Sequence, residues 1–147
     1  MQNTLKIISA KSKSTFSGHK VKLNARYKVD LQIVKPLYDL HELADFAGWI
    51  SYQKGRRRWF HNFAKRFSRK RAANLFSLIA VVNGKKIDLG KLWKKANKQT
   101  FEINFKDYFN NKNDELKLFV FLNDVYGFYW NNRGSYTIEL KLLKPNM

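Results

Sequence analysis

The strongest constraint on the fold of this chain is an alternation of apolar and polar residues that recurs along its length. Val29, Leu31 and Ile33 alternate with Lys28, Asp30 and Gln32, a period of two that sets one face of a strand against a core. Phe101, Ile103 and Phe105 repeat the pattern. Leu116, Leu118, Val120 and Leu122 do so with Phe119 and Phe121 on the opposite face, and Tyr136, Ile138, Leu140 and Leu142 close the series. Leu75–Val82 is almost continuously apolar, and Asn83-Gly84 separates it from Lys85–Leu89. Asn-Gly between two such runs predicts a tight hairpin, because a type I′ turn needs positive φ at both central residues. Tyr38–Ala47 has helical propensity, but its place in the chain favours a strand. Short strands with turns between them predict an all-β fold, an antiparallel β-sandwich or jelly roll.

At 147 residues the chain is expected to form a single β-sandwich domain over residues 1–147, with residues 1–20 loosely ordered. Its hydrophobic content of 44%, with 12 Phe, 7 Tyr and 4 Trp, is enough for a sizeable core and unlike a disordered chain. Two prolines and no long linker argue against a second domain. No apolar run is long enough to cross a membrane as a helix. The first residues do not read as a signal peptide, since the apolar stretch is short and broken by Lys6. The expected location is therefore the cytoplasm, or outside the cell by a non-classical route. The absence of cysteine excludes disulfides, thiol catalysis and cysteine-based metal sites.

The chemistry is concentrated near the C-terminus. Asn123-Asp-Val-Tyr-Gly-Phe-Tyr-Trp-Asn-Asn-Arg-Gly-Ser-Tyr136 lies between two strand-like runs, expected to be neighbours, and gathers a carboxylate, two adjacent carboxamides and two glycines. Such a loop can fold several oxygens around one hard cation. Calcium takes six to eight oxygen ligands, and carboxylate, amide and backbone oxygens all serve. The spacing is not that of an EF-hand. The same residues also suit a plain β-turn, because Asn, Asp and Gly tolerate positive φ and bond their own backbone.

Asn123-Asp-Val-x-Gly-x-Tyr-x-Asn-Asn-x-Gly-Ser135 resembles the bacterial galactophilic lectins of the PA-IL type. Ala47-Gly-Trp-Ile-Ser-Tyr52 is similar to a second motif of that family, in the same order along the chain. The resemblance implies a galactose-binding-like β-sandwich with a calcium site. Asp124, Asn131 and Asn132 would give side-chain oxygens, and Tyr52 and Phe128 main-chain carbonyls. Asp124 and Asn131 would also hydrogen-bond the sugar, with Tyr52, Val125 and Phe128 at its edge. The close matches cover about twenty residues. The family's His-Pro-x-Gln segment, which touches the sugar, has no counterpart. Tyr126, Trp130 and Arg133 stand where the family has a proline, a small residue and a serine. The metal loop thus matches better than the sugar pocket, and the ligand expected is a galactose-like or anionic glycan.

In place of the missing segment lies a basic tract. Lys54, Arg56, Arg57, Arg58, Lys65, Arg66, Arg69, Lys70 and Arg71 are interleaved with Trp59, Phe60, Phe63 and Phe67, and no acid interrupts them. Phe60, Phe63 and Phe67 have the spacing of one helical face, so a short basic helix or a loop insertion is expected around residues 56–71. Such a segment suits lipopolysaccharide, an acidic membrane or an acidic glycan, with nucleic acid ranked lower because no recognised binding signature is present. The whole chain carries 29 basic against 11 acidic residues, a formal charge of +18, which attracts polyanions and opposes capture of a dication. The aromatics can equally be core and the charges a solvated face.

Catalysis has little support. His19, His41 and His61 lack ligand spacing, and His61 reads as a packing or surface residue that could reach the sugar site. Asp114-Glu115 and Glu42…Asp45 read as turn or surface acids. There is no nucleotide-binding loop. A calcium-dependent, lectin-like module is the leading expectation, with homo-oligomerisation as a route to avidity. A polyanion binder using the Arg56–Arg71 tract is the second. An adaptor contacting a protein through Tyr126, Trp130 and Tyr136 is the third.

Overall fold

The computed structural model describes residues 6–23, 25–108 and 115–143. It is an antiparallel β-sandwich with short helices, as the alternation predicts. One sheet contains strands β1 (Lys6–Ser9), β3 (Arg26–Asp39), β4 (Glu42–Asp45), β5 (Gly48–Trp49), β8 (Phe101–Asn104) and β10 (Asn132–Leu142). The other contains β2 (Thr15–Lys22), β6 (Leu78–Val82), β7 (Lys85–Asp88) and β9 (Glu115–Leu122). The first runs β1-β10-β3-β4-β5 and the second β2-β9-β6-β7. The long β3 pairs with β8 through Arg26–Val29 and with β4 through Leu37–Asp39. Helices α1 (Ile50–Gln53), α2 (Arg58–Lys65) and α3 (Leu89–Lys95) lie in the connections.

The core forms where the inward faces meet. Val29, Leu31, Tyr136, Ile138 and Leu140 come from one sheet, and Leu78, Ala80, Val82, Leu118, Val120 and Leu122 from the other. The Asn83-Gly84 turn has φ of 50° and 77°, and it joins β6 to β7 as expected. Tyr38–Ala47 is extended: β3 turns at Leu40, whose φ is 58°, and returns as β4. On the outer face of the second sheet, Phe121 is also fully buried, packed with Ile79 and Ala73.

Within the first twenty residues, β1 pairs with β10 and β2 with β9. Two expectations need correction. The two C-terminal strands are not neighbours: β9 belongs to one sheet and β10 to the other. The segment between them crosses from sheet to sheet at one end of the sandwich. Sequential strands often pair, but a 3-10 helix over Tyr126–Asn131 carries this connection away from a hairpin path. Ile33 is 39% exposed rather than core, because the β3–β10 register shifts beside it.

That irregularity is built around Gly134. It has φ of 108°, lies between the shifted pairs Arg133–Tyr38 and Ser135–Lys35, and accepts a hydrogen bond from the Ala10 N–H at 3.0 Å. Pro36, which offers no N–H, stands opposite. A methyl group on Gly134 would collide with the Pro36 carbonyl. Gly134→Ala is therefore expected to destabilise the protein by about 2–4 kcal/mol, from overpacking and backbone strain together. Urea unfolding measures this, and a loss within error of zero would contradict the close approach.

Candidate cation and ligand cleft

Four segments meet at the end of the sandwich where the chain crosses between sheets. β3 delivers Asp39 as its last residue. β10 starts at Asn132, directly opposite Asp39 in the ladder. The Asn123–Asn131 connection arrives from β9, and α2 lies alongside. Between them is a cleft of about 350 Å³, lined by Asp39, Asp124 and Asn131 with Trp49, Phe60 and Phe128 as its apolar walls. Arg57 lines it too and pairs with Glu42 at 2.9 Å. The Leu40 N–H donates to the Asn131 carbonyl at 3.2 Å, tying the β3–β4 turn to the loop.

The polar atoms of this cleft are out of balance. Asp124 is 3% exposed; its Oδ1 accepts the Val125 N–H at 2.7 Å, and its Oδ2 is buried with no hydrogen-bond partner. Asn131 Oδ1 and Asn132 Oδ1 are likewise buried without a donor. The Asn132 amide donates to the Ala10 carbonyl at 3.1 Å. Buried acceptors nearly always have a donor, and leaving one unpaired costs about 1–3 kcal/mol. The unpaired oxygens on Asp124, Asn131 and Asn132 are of the hard type that calcium takes, and of these residues Asp124 and Asn131 line the cleft.

Asp39 enlarges the set. Its Oδ2 accepts the Trp49 indole N–H at 3.0 Å. Burial raises the Asp39 carboxyl above the usual carboxylate range, against that indole bond and helped by the Glu42 charge. Burial also raises Asp124, and the Asp39 charge pushes it further, against the Val125 N–H and the neighbouring Asn132 side chain, which lower it. Two desolvated carboxylates repel each other here, and a dication would relieve both terms.

Of the other residues singled out in the sequence, Val125 and Phe128 line the cleft and Tyr52 does not. The Tyr52 carbonyl accepts the Gly55 N–H at 2.9 Å, and its ring stacks on His61 at 3.6 Å between centroids. His61 is fully buried, its Nε2 accepts the Leu75 N–H at 3.1 Å, and burial lowers its pKa. It is a packing residue and does not reach the cleft. Tyr136 is fully buried, so it cannot serve as a contact for a protein partner; desolvation raises its hydroxyl pKa. The Tyr126 side chain and Asp114 lie outside the described residues. Asp45 is not a surface acid: it is 8% exposed, binds Lys98 at 2.5 Å and accepts the Ala47 N–H at 2.8 Å.

The basic tract does lie beside the loop. Ser68 bridges to Val125, and the Arg69 N–H donates to the Asp124 carbonyl at 3.2 Å. Arg69 is a structural residue. Its guanidinium lies 3.6 Å from the Phe121 ring centre and donates to the Lys13 carbonyl and the Tyr129 hydroxyl. Desolvation nonetheless keeps the Tyr129 hydroxyl pKa raised, to about 12. Arg56, Arg58, Arg66 and Arg71 are exposed, and Lys65 and Lys70 half-buried.

Two features escaped the sequence. Asp39 looked like one polar residue in an ambiguous stretch; only the β3–β10 register brings it to Asn132. Asn123 looked like a possible turn residue, but it is fully buried. Its amide donates to the carbonyls of Lys70, Ala73 and Asn74 at 3.0–3.1 Å, and its Oδ1 accepts the Lys70 N–H at 2.9 Å.

Two outcomes are expected. Asn123→Ala leaves several buried groups unpaired and should destabilise by about 2–4 kcal/mol, with hydrogen exchange rising first in residues 68–74. The second concerns pH. With raised folded pKa values, the native protein retains protons that the unfolded chain releases above about pH 4. In chelator, these two carboxyls therefore make stability fall as pH rises from there through neutrality. Asp124→Asn should flatten that slope and exceed wild type in stability above neutral pH. An unchanged slope in urea unfolding across the pH range would rule this out.

No protein-family model matches the chain, and no curated protein matches it. Among solved structures, it is similar to the EclA N-terminal domain, described as a PllA-like lectin. The match covers 95% of each chain, with a TM-score of 0.58 and 15% sequence identity. At that identity the likeness establishes the fold, an antiparallel β-sandwich shared along nearly the whole chain.

Proposed function

We propose that this chain is a calcium-dependent carbohydrate-binding module whose cleft holds the sugar between Asp124, Asn131 and the aromatic walls. The observation that carries this reading is the trio of buried, unpaired oxygens on Asp124, Asn131 and Asn132. The fold shared with a domain described as a lectin supports it. Asp124, Asn131 and Asn132 would hold the ion through side-chain oxygens, with Asp39 as a second carboxylate and the Phe128 carbonyl as a further donor. Bound calcium supplies a Lewis-acidic centre that can accept vicinal sugar hydroxyls. Asp124 and Asn131 then accept the hydroxyl protons in charge-assisted hydrogen bonds. Trp49, Phe60 and Phe128 offer an apolar surface to the C–H face of the ring.

Asp39 meets the objection raised by the chain's net charge. Screening at physiological salt limits exposed charges to about 8 Å, whereas Asp39 and Asp124 act within the cleft itself. Arg57 favours an acidic glycan as ligand: it is the one residue of the basic tract that lines the cleft while being half exposed. A carboxylate or sulfate on the sugar would meet its guanidinium, in exchange for part of the Glu42 pair.

The test is thermal unfolding of chelator-stripped protein with and without calcium. At a hundredfold excess over Kd, native-state binding adds about 2.7 kcal/mol, a rise of several degrees for a domain of this size. Asp124→Ala should abolish the rise and Asp39→Asn reduce it. A glycan array run with calcium and with EDTA then reads the ligand. Absence of a calcium shift in wild type, or array binding indifferent to EDTA, would refute the calcium mechanism.

A further inference from the structure

Helix α2 has two sides, and the carbohydrate reading uses one. Its inner side carries buried His61 together with Phe60 and Arg57 at the cleft, where Phe60 stacks on Trp49 at 6.1 Å. The outer side is a ridge of aromatic rings. Trp59, Phe63 and, just past the helix, Phe67 are 77%, 50% and 62% exposed. Trp59 and Phe63 are parallel at 5.7 Å, and Phe63 meets Phe67 edge-on at 5.7 Å. A contiguous apolar patch of this kind on a protein surface marks an interaction site.

The surroundings of the ridge specify its partner. Arg56, Arg58, Arg66 and Arg71 are exposed around it, and none has a carboxylate partner among the described residues. Lys65, Arg66 and Arg71 line a basic concavity directly beside Phe67. The sequence has no acidic residue between Asp45 and Asp88. Aromatic rings flanked by unopposed arginines and lysines match the interfacial zone of an anionic bilayer: rings settle at the boundary with the acyl chains while basic heads reach the phosphates. Tryptophan favours that zone in particular. Single-stranded nucleic acid fits less well. Its bases need open ring faces, and Trp59 and Phe63 cover one another.

We propose that the outer face of α2, from Arg56 to Arg71, docks this protein on anionic lipid membranes. Docking needs neither calcium nor a sugar, so it stands or falls independently of the cleft. The two sites share one helix: Phe60 and Arg57 face the cleft, while Trp59 and Phe63 face the bilayer. A docked molecule would thus hold its cleft beside the membrane, where headgroup-borne glycans lie.

The experiment is co-sedimentation of the full chain, in EDTA, with vesicles of phosphatidylcholine and phosphatidylglycerol, and with vesicles of phosphatidylcholine alone. The anionic vesicles should carry the protein down and the neutral ones should not. Trp59→Ser combined with Phe63→Ser should weaken partitioning at least tenfold. Both residues are exposed, so the unfolding temperature of that variant should match wild type and exclude misfolding as the cause. Arg66→Glu with Arg71→Glu should weaken it comparably. No sedimentation with anionic vesicles would overturn the proposal, as would undiminished binding of the aromatic variant. So would capture of a single-stranded oligonucleotide by a protein that ignores the vesicles.

Discussion

A single buried amide organises the cleft end of this sandwich. Residues 68–74 pass over the sheet without joining a strand or a helix, and their backbone groups still need partners. The Asn123 side chain supplies several of them at once, while its main chain pairs with Ser77 and Phe76 at 2.9 and 2.6 Å. The end of β9 and the 68–77 segment are thereby fixed to each other. Through Ser68 and Arg69 that segment fixes the loop carrying Asp124, and it follows directly from α2 in the chain. α2 and the loop flank the cleft, and Asn123 anchors the segment that links them.

The charge of the protein is unevenly distributed in a way that the total conceals. Basic residues outnumber acidic ones heavily, yet the cleft holds Asp39, Asp124 and Glu42. The basic tract also divides by role. Arg57 is tied to Glu42 at the cleft, Arg69 is folded over Phe121 as part of the structure, and the remainder faces solvent around an aromatic ridge. A substitution that treats these arginines as equivalent would mix electrostatics with packing, since an arginine lying flat on a buried ring contributes through its contact area as well as its charge.

The sandwich was legible because alternation is a local signal. Val29, Leu31, Leu118, Val120, Ile138 and Leu140 each declare an inward face, and each is buried. The Asn83-Gly84 hairpin was legible for the same reason. Connectivity was not: whether Leu122 and Asn132 end up in one sheet or in two depends on packing of the whole chain. At the cleft, Asp124, Asn131 and Asn132 were singled out by a resemblance to a known loop, and the structure shows each with a buried, unpaired side-chain oxygen. Asp39 was not, because nothing in Tyr38–His41 says which strand will lie beside it. Tyr52, adjacent to the site by analogy, instead stacks on His61. The aromatics of the basic tract were ambiguous between core and surface, since helical spacing alone does not say which side faces out. None of the four is core: Phe60, 48% exposed, lies against Trp49 at the cleft, and Trp59, Phe63 and Phe67 turn outward.

The crossing of the chain from β9 to β10 has a consequence for the lifetime of the folded state. Asp124 hangs from one sheet, whereas Asn131, Asn132 and Asp39 hang from the other. An ion gripped by oxygens from both would act as a rivet through the sandwich, opposing the separation of the sheets that unfolding requires. Its effect would then fall on the escape rate from the native state, not only on the equilibrium. A protein so fastened would persist for long periods where calcium is plentiful and come apart readily where it is scarce.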